Sequence, residues 1–153
     1  MALEERVQRL EAQAAIRDLR YEYCYMVDDR DWEGLVDLFT PDASLEYSGI
    51  GSFEGHDGVR EFANEYVSET LEATTHAVTN GQIEVDGDTA TGRWYVVAFT
   101  TQTDGNCGIR WAEYREQYRR TKDGWRIASL QLQFHYSAVY DDGWPNFETL
   151  GGF

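Results

Sequence analysis

The hydrophobic pattern of the chain changes from a mainly helical period to a strand period near Thr74, and this change limits the possible folds more than any other feature. From Thr74 onward, apolar and polar residues alternate as they do in β-strands. Clusters of Asp, Asn and Gly divide this half into four predicted strands, at about 74–85, 89–102, 108–121 and 125–137. Because antiparallel strands of this length twist and curl, the second half predicts a curved antiparallel sheet.

The first half of the chain has the three-to-four residue spacing of amphipathic helices. Apolar residues predict a long first helix over 3–30, and Asp31 is a candidate N-cap for a short second helix over 32–39. A β-rich piece at 43–47 precedes a third helix over 56–71, capped by His56 or Asp57. Three helices followed by a strand meander predict an α+β fold in which the helices cover one face of the sheet.

The length of the chain limits the number of domains, and its net charge limits the classes of partner that it can bind. A chain of 153 residues fits one domain, 1–153, and the aromatic-rich tail over 138–153 is expected to dock on a cavity mouth or on a subunit contact. The net charge is −15 and Lys122 is the only lysine, so no nucleic acid or anionic membrane is expected as a partner. The charged amino terminus has no signal-peptide pattern, which favours a cytoplasmic protein.

The residues that commonly bind metals and phosphates lack the necessary spacing. Cys24 and Cys107 are far apart and are expected to be buried thiols. His56, His76 and His135 do not form a metal-ligand motif, and the chain has neither a Gly-rich phosphate loop nor a GxSxG element. The sequence therefore predicts chemistry without a metal or a cofactor.

One carboxylate and one imidazole are the leading candidates for catalysis. Asp28 closes the first helix, where the helix dipole disfavours a carboxylate, and it follows Tyr21, Cys24 and Tyr25 at the spacing of a shared face. His76 lies on the more polar face of the first long strand. If the fold brings Asp28 to His76, the pair is a general base; otherwise Asp28 is a solvated turn residue and His76 an ordinary strand residue.

Polar side chains also recur along the later strands, at more positions than one solvent-exposed face of a sheet explains. They indicate a polar-lined cavity or a subunit interface. They are Tyr95, Arg110, Glu113, Tyr114, Glu116, Gln131, Gln133 and His135.

Several short motifs, in this order and spacing, resemble the SnoaL-like branch of the nuclear transport factor 2-like superfamily over nearly the whole chain. The motifs are Leu3-Glu4-Glu5-Arg6-Val7, Asp28-x-x-Asp31-Trp32 with Leu35 and Leu38-Phe39, Gly49-Ile50-Gly51 with Gly55, His76 with Asn80, Ala90-Thr91-Gly92-Arg93-Trp94-Tyr95 and Asp123-Gly124-Trp125. The resemblance implies a cone-shaped α+β barrel, also called cystatin-like, with a deep pocket between the helices and the concave sheet.

Within that superfamily the chain resembles cofactor-free lyases, namely bile acid 7α-dehydratase, scytalone dehydratase and hexachlorocyclohexane dehydrochlorinase. Their Asp-His dyad falls on Asp28 and His76, and the catalytic tyrosine of the bile acid enzyme falls on Tyr23. The resemblance implies a hydro-lyase in which His76, held by Asp28, takes a proton while a tyrosine assists the leaving group. It also implies a homo-oligomer, a trimer or a dimer.

The groups that these lyases use for particular substrates are replaced in this chain. The second carboxylate of the bile acid enzyme falls near Ala98, its late-strand arginine near Phe134, and the second histidine of scytalone dehydratase near Thr100 or Ala98. We therefore expect a small hydrophobic cyclic or polycyclic substrate and assign no particular compound. The residues expected to contact it are Tyr25, Tyr47, Tyr95, Tyr114 and Phe134.

Three other functions fit the same resemblance. An isomerase would need a lone carboxylate base and an oxyanion-binding pair, and an epoxide hydrolase would need several carboxylates with an arginine deep in the pocket. A domain that only binds a ligand or another subunit would need neither. Hydrogen-bond contact between Asp28 and His76 is the feature that favours the lyase over the last of these.

Overall fold

A computed structural model describes residues 2–141 and 143. Its helices and strands follow one another in the predicted order, with one additional short strand. The helices are α1 (Leu3–Asp29), α2 (Trp32–Asp37) and α3 (Gly55–Glu61). The strands are β1 (Phe39–Tyr47), β2 (Gly51–Glu54), β3 (Leu71–Asp86), β4 (Thr89–Gln102), β5 (Cys107–Thr121) and β6 (Gly124–Tyr140). The predicted α+β class is confirmed.

The six strands form one sheet in the order β2-β1-β6-β5-β4-β3. All neighbours are antiparallel except β1 and β6, which run parallel. The pairing register of β3 with β4 shifts between Thr79 and Gln82. Asn80, within this irregularity, has a φ of 56°. The next residue is glycine because a Cβ there would lie 2.2 Å from the Trp94 ring. Further slips at Trp111/Ala112 and Gln117/Tyr118 bend the long strands, and such bulges increase the local twist of a sheet.

Helix α1 lies along β3, which is the last strand at one edge of the sheet. In the amino-terminal half of the helix, Gln13 Nε2 donates to the carbonyl of Ile83 at 3.1 Å. Near its carboxyl end, Asp28 accepts the backbone N–H of His76 at 2.8 Å, and the Arg30 guanidinium donates to the carbonyls of Leu71 and Glu72. The helix therefore satisfies backbone groups that an edge strand would otherwise leave unpaired.

The short second helix ends earlier than predicted. Asp31 is its N-cap, since Oδ1 accepts the N–H of Gly34 at 2.9 Å. The helix stops at Asp37, however, because Phe39 is buried and already pairs with Ile127 of β6.

The third helix begins without the predicted side-chain cap. Residue 54 is the N-cap position, and no side-chain hydrogen bond closes this end. His56 instead bonds the carbonyl of Phe39 at 3.0 Å, so it fixes the helix to β1. After α3 the helix continues as a π-helical segment, Phe62–Val67, and then as a final turn, Ser68–Thr70.

Both cysteines are buried free thiols, as predicted. Strand β6 extends to Tyr140, which is three residues beyond the predicted end. The remainder of the predicted docked tail, residue 142 and residues 144–153, lies outside the described residues. Within the described part of the chain, no helix has both the length and the apolar character needed to cross a lipid bilayer.

A cluster of charges lies on the outer face of the sheet around Glu113. Arg93 donates two hydrogen bonds to this carboxylate, at 2.8 and 2.9 Å, and Arg115 donates one at 2.7 Å. The two arginines leave the Glu113 side chain only 4% exposed. Their hydrogen bonds and charges lower the pKa of Glu113 from 4.5 to about 2, with Arg93 the largest cause.

We expect this cluster to make stability depend on pH. Because the folded-state pKa is depressed, ionised Glu113 stabilises the protein above about pH 4.5, and this contribution is lost as the pH falls through about 2. In urea denaturation, the difference in unfolding free energy between wild type and Glu113→Gln should be smaller at about pH 3 than at about pH 5. Glu61→Gln, at an exposed helical position, is the control. A difference for Glu113→Gln that is constant over this range would contradict the prediction.

Exposed aromatic residues also lie on β5 and β6. Trp111 is 43% exposed and Tyr136 is 76% exposed. Such residues are enriched in protein interfaces, and the assembly of this chain into a trimer or dimer stays a prediction.

Candidate active site

A cavity of about 310 Å³ lies between the helical layer and the inner face of the sheet. Tyr23 and Val27 of α1 contribute to its wall, with side chains of the π-helical segment and of strands β3 to β6. Most of these side chains are aromatic or aliphatic, and the polar ones are few. This composition and this volume, at the lower end of the usual range, are typical of pockets for small organic ligands.

Asp28 and His76 meet at this cavity. His76 lies on the cavity wall, and its Nδ1 is 2.6 Å from Asp28 Oδ1. The same carboxylate accepts the Thr74 hydroxyl at 2.8 Å and the backbone N–H of His76 at 2.8 Å. The side chains are largely buried, with 18% of Asp28 and 14% of His76 exposed. The predicted contact is present, and three hydrogen bonds fix the carboxylate.

This geometry defines which nitrogen of His76 can act as a base. An ionised carboxylate only accepts hydrogen bonds, so Nδ1 must carry the proton that bonds Asp28. The lone pair is then on Nε2, and no described residue bonds that nitrogen. Asp28 would also stabilise the imidazolium that forms when Nε2 takes a proton.

Two tyrosine hydroxyls form a second polar feature of the cavity wall. The oxygens of Tyr23 and Tyr47 are 2.8 Å apart, and both side chains are buried. Burial raises the pKa of Tyr23 and of Tyr47 well above the usual value, so both phenols stay protonated at neutral pH. One of the two protons is used in the bond between them, which leaves the other for a ligand.

A buried arginine lies behind these tyrosines. The Arg20 Cζ is 3.8 Å from the ring centroid of Tyr23 and 3.9 Å from that of Tyr114, so its guanidinium contacts both ring faces. Arg20 is fully buried and forms a salt bridge with Glu116, which is also buried. Glu116 accepts a hydrogen bond from Tyr118, and the Trp94 indole N–H donates to the Tyr118 oxygen at 3.0 Å.

The structure brings most of the predicted site residues to the cavity. Tyr23, Tyr47, Tyr114 and Phe134 line it together with His76, although their roles in binding or catalysis stay predictions.

Two predicted cavity residues lie elsewhere. Tyr25 is 65% exposed, because Tyr23 and Val27 on the opposite side of α1 face inward. Tyr95 packs on the outer face near Trp111 and His135, because β4 alternates and its neighbour Val96 faces the cavity.

Sequence reasoning missed the part that Thr74 and Arg20 play in the site. Thr74 is two residues before His76 on one strand face, so its approach to Asp28 follows once the dyad is placed. Arg20 stands on the buried stripe of α1 with Ile16, Leu19 and Tyr23. A cation within such a stripe signals a buried partner. No group of three or more His, Cys, Asp or Glu side chains suitable for a metal occurs among the residues that the structure describes.

Comparison with known proteins gives one family and several relatives. The model of the SnoaL-like domain matches residues 8–131. Hexachlorocyclohexane dehydrochlorinase 1 of Sphingobium indicum, a lyase, is 30% identical over 130 residues, which are 84% of each chain. An uncharacterized protein of Mycobacterium tuberculosis is 30% identical over 120 residues, which cover 73% of this chain and 78% of the relative.

Solved structures show the same architecture. A type 2 hexachlorocyclohexane dehydrochlorinase superposes with a TM-score of 0.85 at 26% identity and covers 93% of this chain and 96% of its own. A nuclear transport factor 2-like protein with a cystatin-like fold, from Novosphingobium aromaticivorans, has a TM-score of 0.73 at 26% identity, with 85% and 86% covered. From the family match, which spans most of the chain, and from this architecture, it follows that the protein belongs to the SnoaL-like domain family.

Proposed function

We propose that this protein is a cofactor-independent lyase that eliminates water or halide from a small hydrophobic cyclic compound. The observation that supports this most directly is the 2.6 Å hydrogen bond between His76 and Asp28 at the wall of an apolar cavity. An imidazole held by a carboxylate is an effective general base near neutral pH. The relationship to a dehydrochlorinase supports the class of reaction.

In the proposed reaction, Nε2 of His76 removes a proton from the carbon next to the one that carries the leaving group. The electrons of the broken C–H bond form the new C=C bond, and the leaving group departs with the electrons of its own bond. Asp28 stabilises the imidazolium that results. A halide leaves as the anion, whereas a hydroxyl group takes a proton from the Tyr23–Tyr47 pair and leaves as water. His76 then returns its proton to solvent or to the tyrosinate.

A second candidate is an isomerase whose base is His76 and not the lone carboxylate that the resemblance implied, and the Tyr23–Tyr47 hydrogen bond favours it. Two phenols that stay protonated can stabilise an enolate oxygen, while His76 moves a proton between two carbons. An epoxide hydrolase is less well supported, because no Asp or Glu is among the described residues that line the cavity.

The test is turnover of a panel of cyclic β-hydroxy ketones, cyclic halides, including hexachlorocyclohexane, and cyclic β,γ-unsaturated ketones, followed by proton NMR and halide release. We expect at least one compound to give an alkene and its leaving group in equal amounts. Movement of a double bond without release of a leaving group would instead assign an isomerase. No reaction with any member of the panel would overturn the lyase and leave a ligand-binding domain.

A further inference from the structure

One arginine on the cavity wall has no part in the proposed elimination. Arg110 of β5 is the only cavity-lining residue, among those described, that carries a permanent positive charge. Its Nη1 donates a hydrogen bond of 2.5 Å to the Ser137 hydroxyl on β6. On the opposite wall, burial raises the pKa of Tyr66 above its usual value, and the positive charge of Arg110 partly offsets this rise. The guanidinium of Arg110 is therefore close enough to Tyr66 to interact with it electrostatically.

Arg110 lacks the acidic partner that six of the twelve arginines of this chain have. Arg20, Arg60, Arg93, Arg115, Arg119 and Arg120 each form an ion pair with Asp or Glu. No described carboxylate lies within ion-pair distance of Arg110, although the chain has 28 acidic residues. A partly buried guanidinium with free donors favours an anion, and carboxylate and phosphate groups match its planar fork.

The strand register fixes where Arg110 lies relative to the base. His76 pairs with Ala98, and Ala98 pairs with Arg110, so the three residues form one row across β3, β4 and β5. Neighbouring strands are about 4.8 Å apart, which places the Cα atoms of His76 and Arg110 about 10 Å apart. The residue between them has only a methyl side chain, so one ligand can span the interval.

We propose that Arg110 binds an oxyanion of the substrate, most simply a carboxylate, at one end of the cavity while the carbon to be deprotonated lies at His76. The substrate class is then a cyclic organic acid whose acidic group is separated from the reacting carbon by part of the ring system, since His76 and Arg110 lie two strands apart in one row. This inference rests on the proposed function for the role of His76, whereas the oxyanion site itself requires only binding. Arg110 in this role determines specificity and orientation.

The experiment compares binding of 2-naphthoate and of its uncharged analogue 2-naphthamide, by isothermal titration calorimetry near neutral pH. We expect wild type to bind the carboxylate at least about tenfold more tightly, as a charge-assisted hydrogen bond provides. Arg110→Gln should lose that preference and keep the wild-type affinity for the amide, which also reports that the cavity is intact. Arg119→Gln, on the same strand but paired with exposed Asp42, should bind both probes as wild type does.

Several outcomes would overturn the proposal. Equal affinity of wild type for the two probes, no binding of 2-naphthoate at millimolar concentration, or an unchanged preference in Arg110→Gln would each do so. A preference that disappears in His76→Gln and persists in Arg110→Gln would assign the anion to the imidazole instead. Because binding is measured without turnover, these results are independent of whether the lyase proposal itself succeeds.

Discussion

Replacing His76 with alanine should abolish elimination and leave the fold intact. The variant loses the imidazole that Asp28 orients at the cavity wall. We expect the rate to fall by about 10³-fold or more, which is within the range for loss of a positioned general base. The measurement is kcat on any compound that the wild type converts, with circular dichroism to compare the folds.

His135→Ala is the matched control, because His135 lies on the outer face, 3.7 Å from Glu113. It should retain full activity. Unchanged kcat in His76→Ala, with wild-type circular dichroism, would refute the proposed mechanism.

Asp28→Asn should lower kcat roughly 10²- to 10⁴-fold, by analogy with other carboxylates that orient a histidine. The amide can still accept a hydrogen bond from the His76 backbone N–H, but it does not stabilise an imidazolium. Asp29→Asn, at the exposed neighbouring position, should remain active. If both variants lost the same activity, the effect would be general for charge at this helix end and would argue against a specific dyad.

Breaking the buried Arg20–Glu116 pair should destabilise the protein by about 3–5 kcal/mol, the usual cost of leaving one buried charge unpaired. Neither side chain of this pair is exposed, and Arg20 already has two nitrogens, Nε and Nη2, without a hydrogen-bond partner. Glu116→Leu would remove the acceptor of both Arg20 and Tyr118. Urea denaturation of this variant and of Arg20→Met should show the loss.

Two further variants make this prediction specific to burial. The double variant Arg20→Met/Glu116→Leu should be more stable than either single variant, because it removes both charges and keeps the apolar volume. Glu33→Gln, which breaks the exposed pair with Arg60, should cost no more than about 1 kcal/mol. A loss for Glu116→Leu as small as that for Glu33→Gln would contradict the prediction.

The features that could be predicted from the sequence are those that depend on local periodicity. The change of period near Thr74 and the glycine-containing turns locate four strands to within about three residues. The positions of Asp28 at a helix end and of His76 on one strand face left their contact a hypothesis, and the resemblance to the SnoaL-like lyases was what implied it. The structure confirms that contact at 2.6 Å.

The features that sequence reasoning did not find depend on contacts between distant residues. The parallel pairing of β1 with β6 joins segments more than 80 residues apart, and no turn motif indicates it. Tyr25 and Tyr95 were predicted to contact a ligand in the cavity, but they lie outside it, for a related reason. Tyr23 and Val27, two residues to either side of Tyr25, face the cavity, and Trp94 and Val96, next to Tyr95, are buried. An aromatic side chain looks alike in the sequence whichever face it lies on.

Because α1 is attached to the edge strand β3, Asp28 also has a structural role that is independent of the proposed catalysis. A sheet border with free amides and carbonyls recruits strands from other molecules, which is a common route to aggregation. The carboxylate that orients His76 also shields one of those amides, with Gln13 and Arg30 shielding carbonyls on either side. Asp28 therefore protects the sheet edge and, in the proposed mechanism, orients the base, so a substitution at this position should affect both.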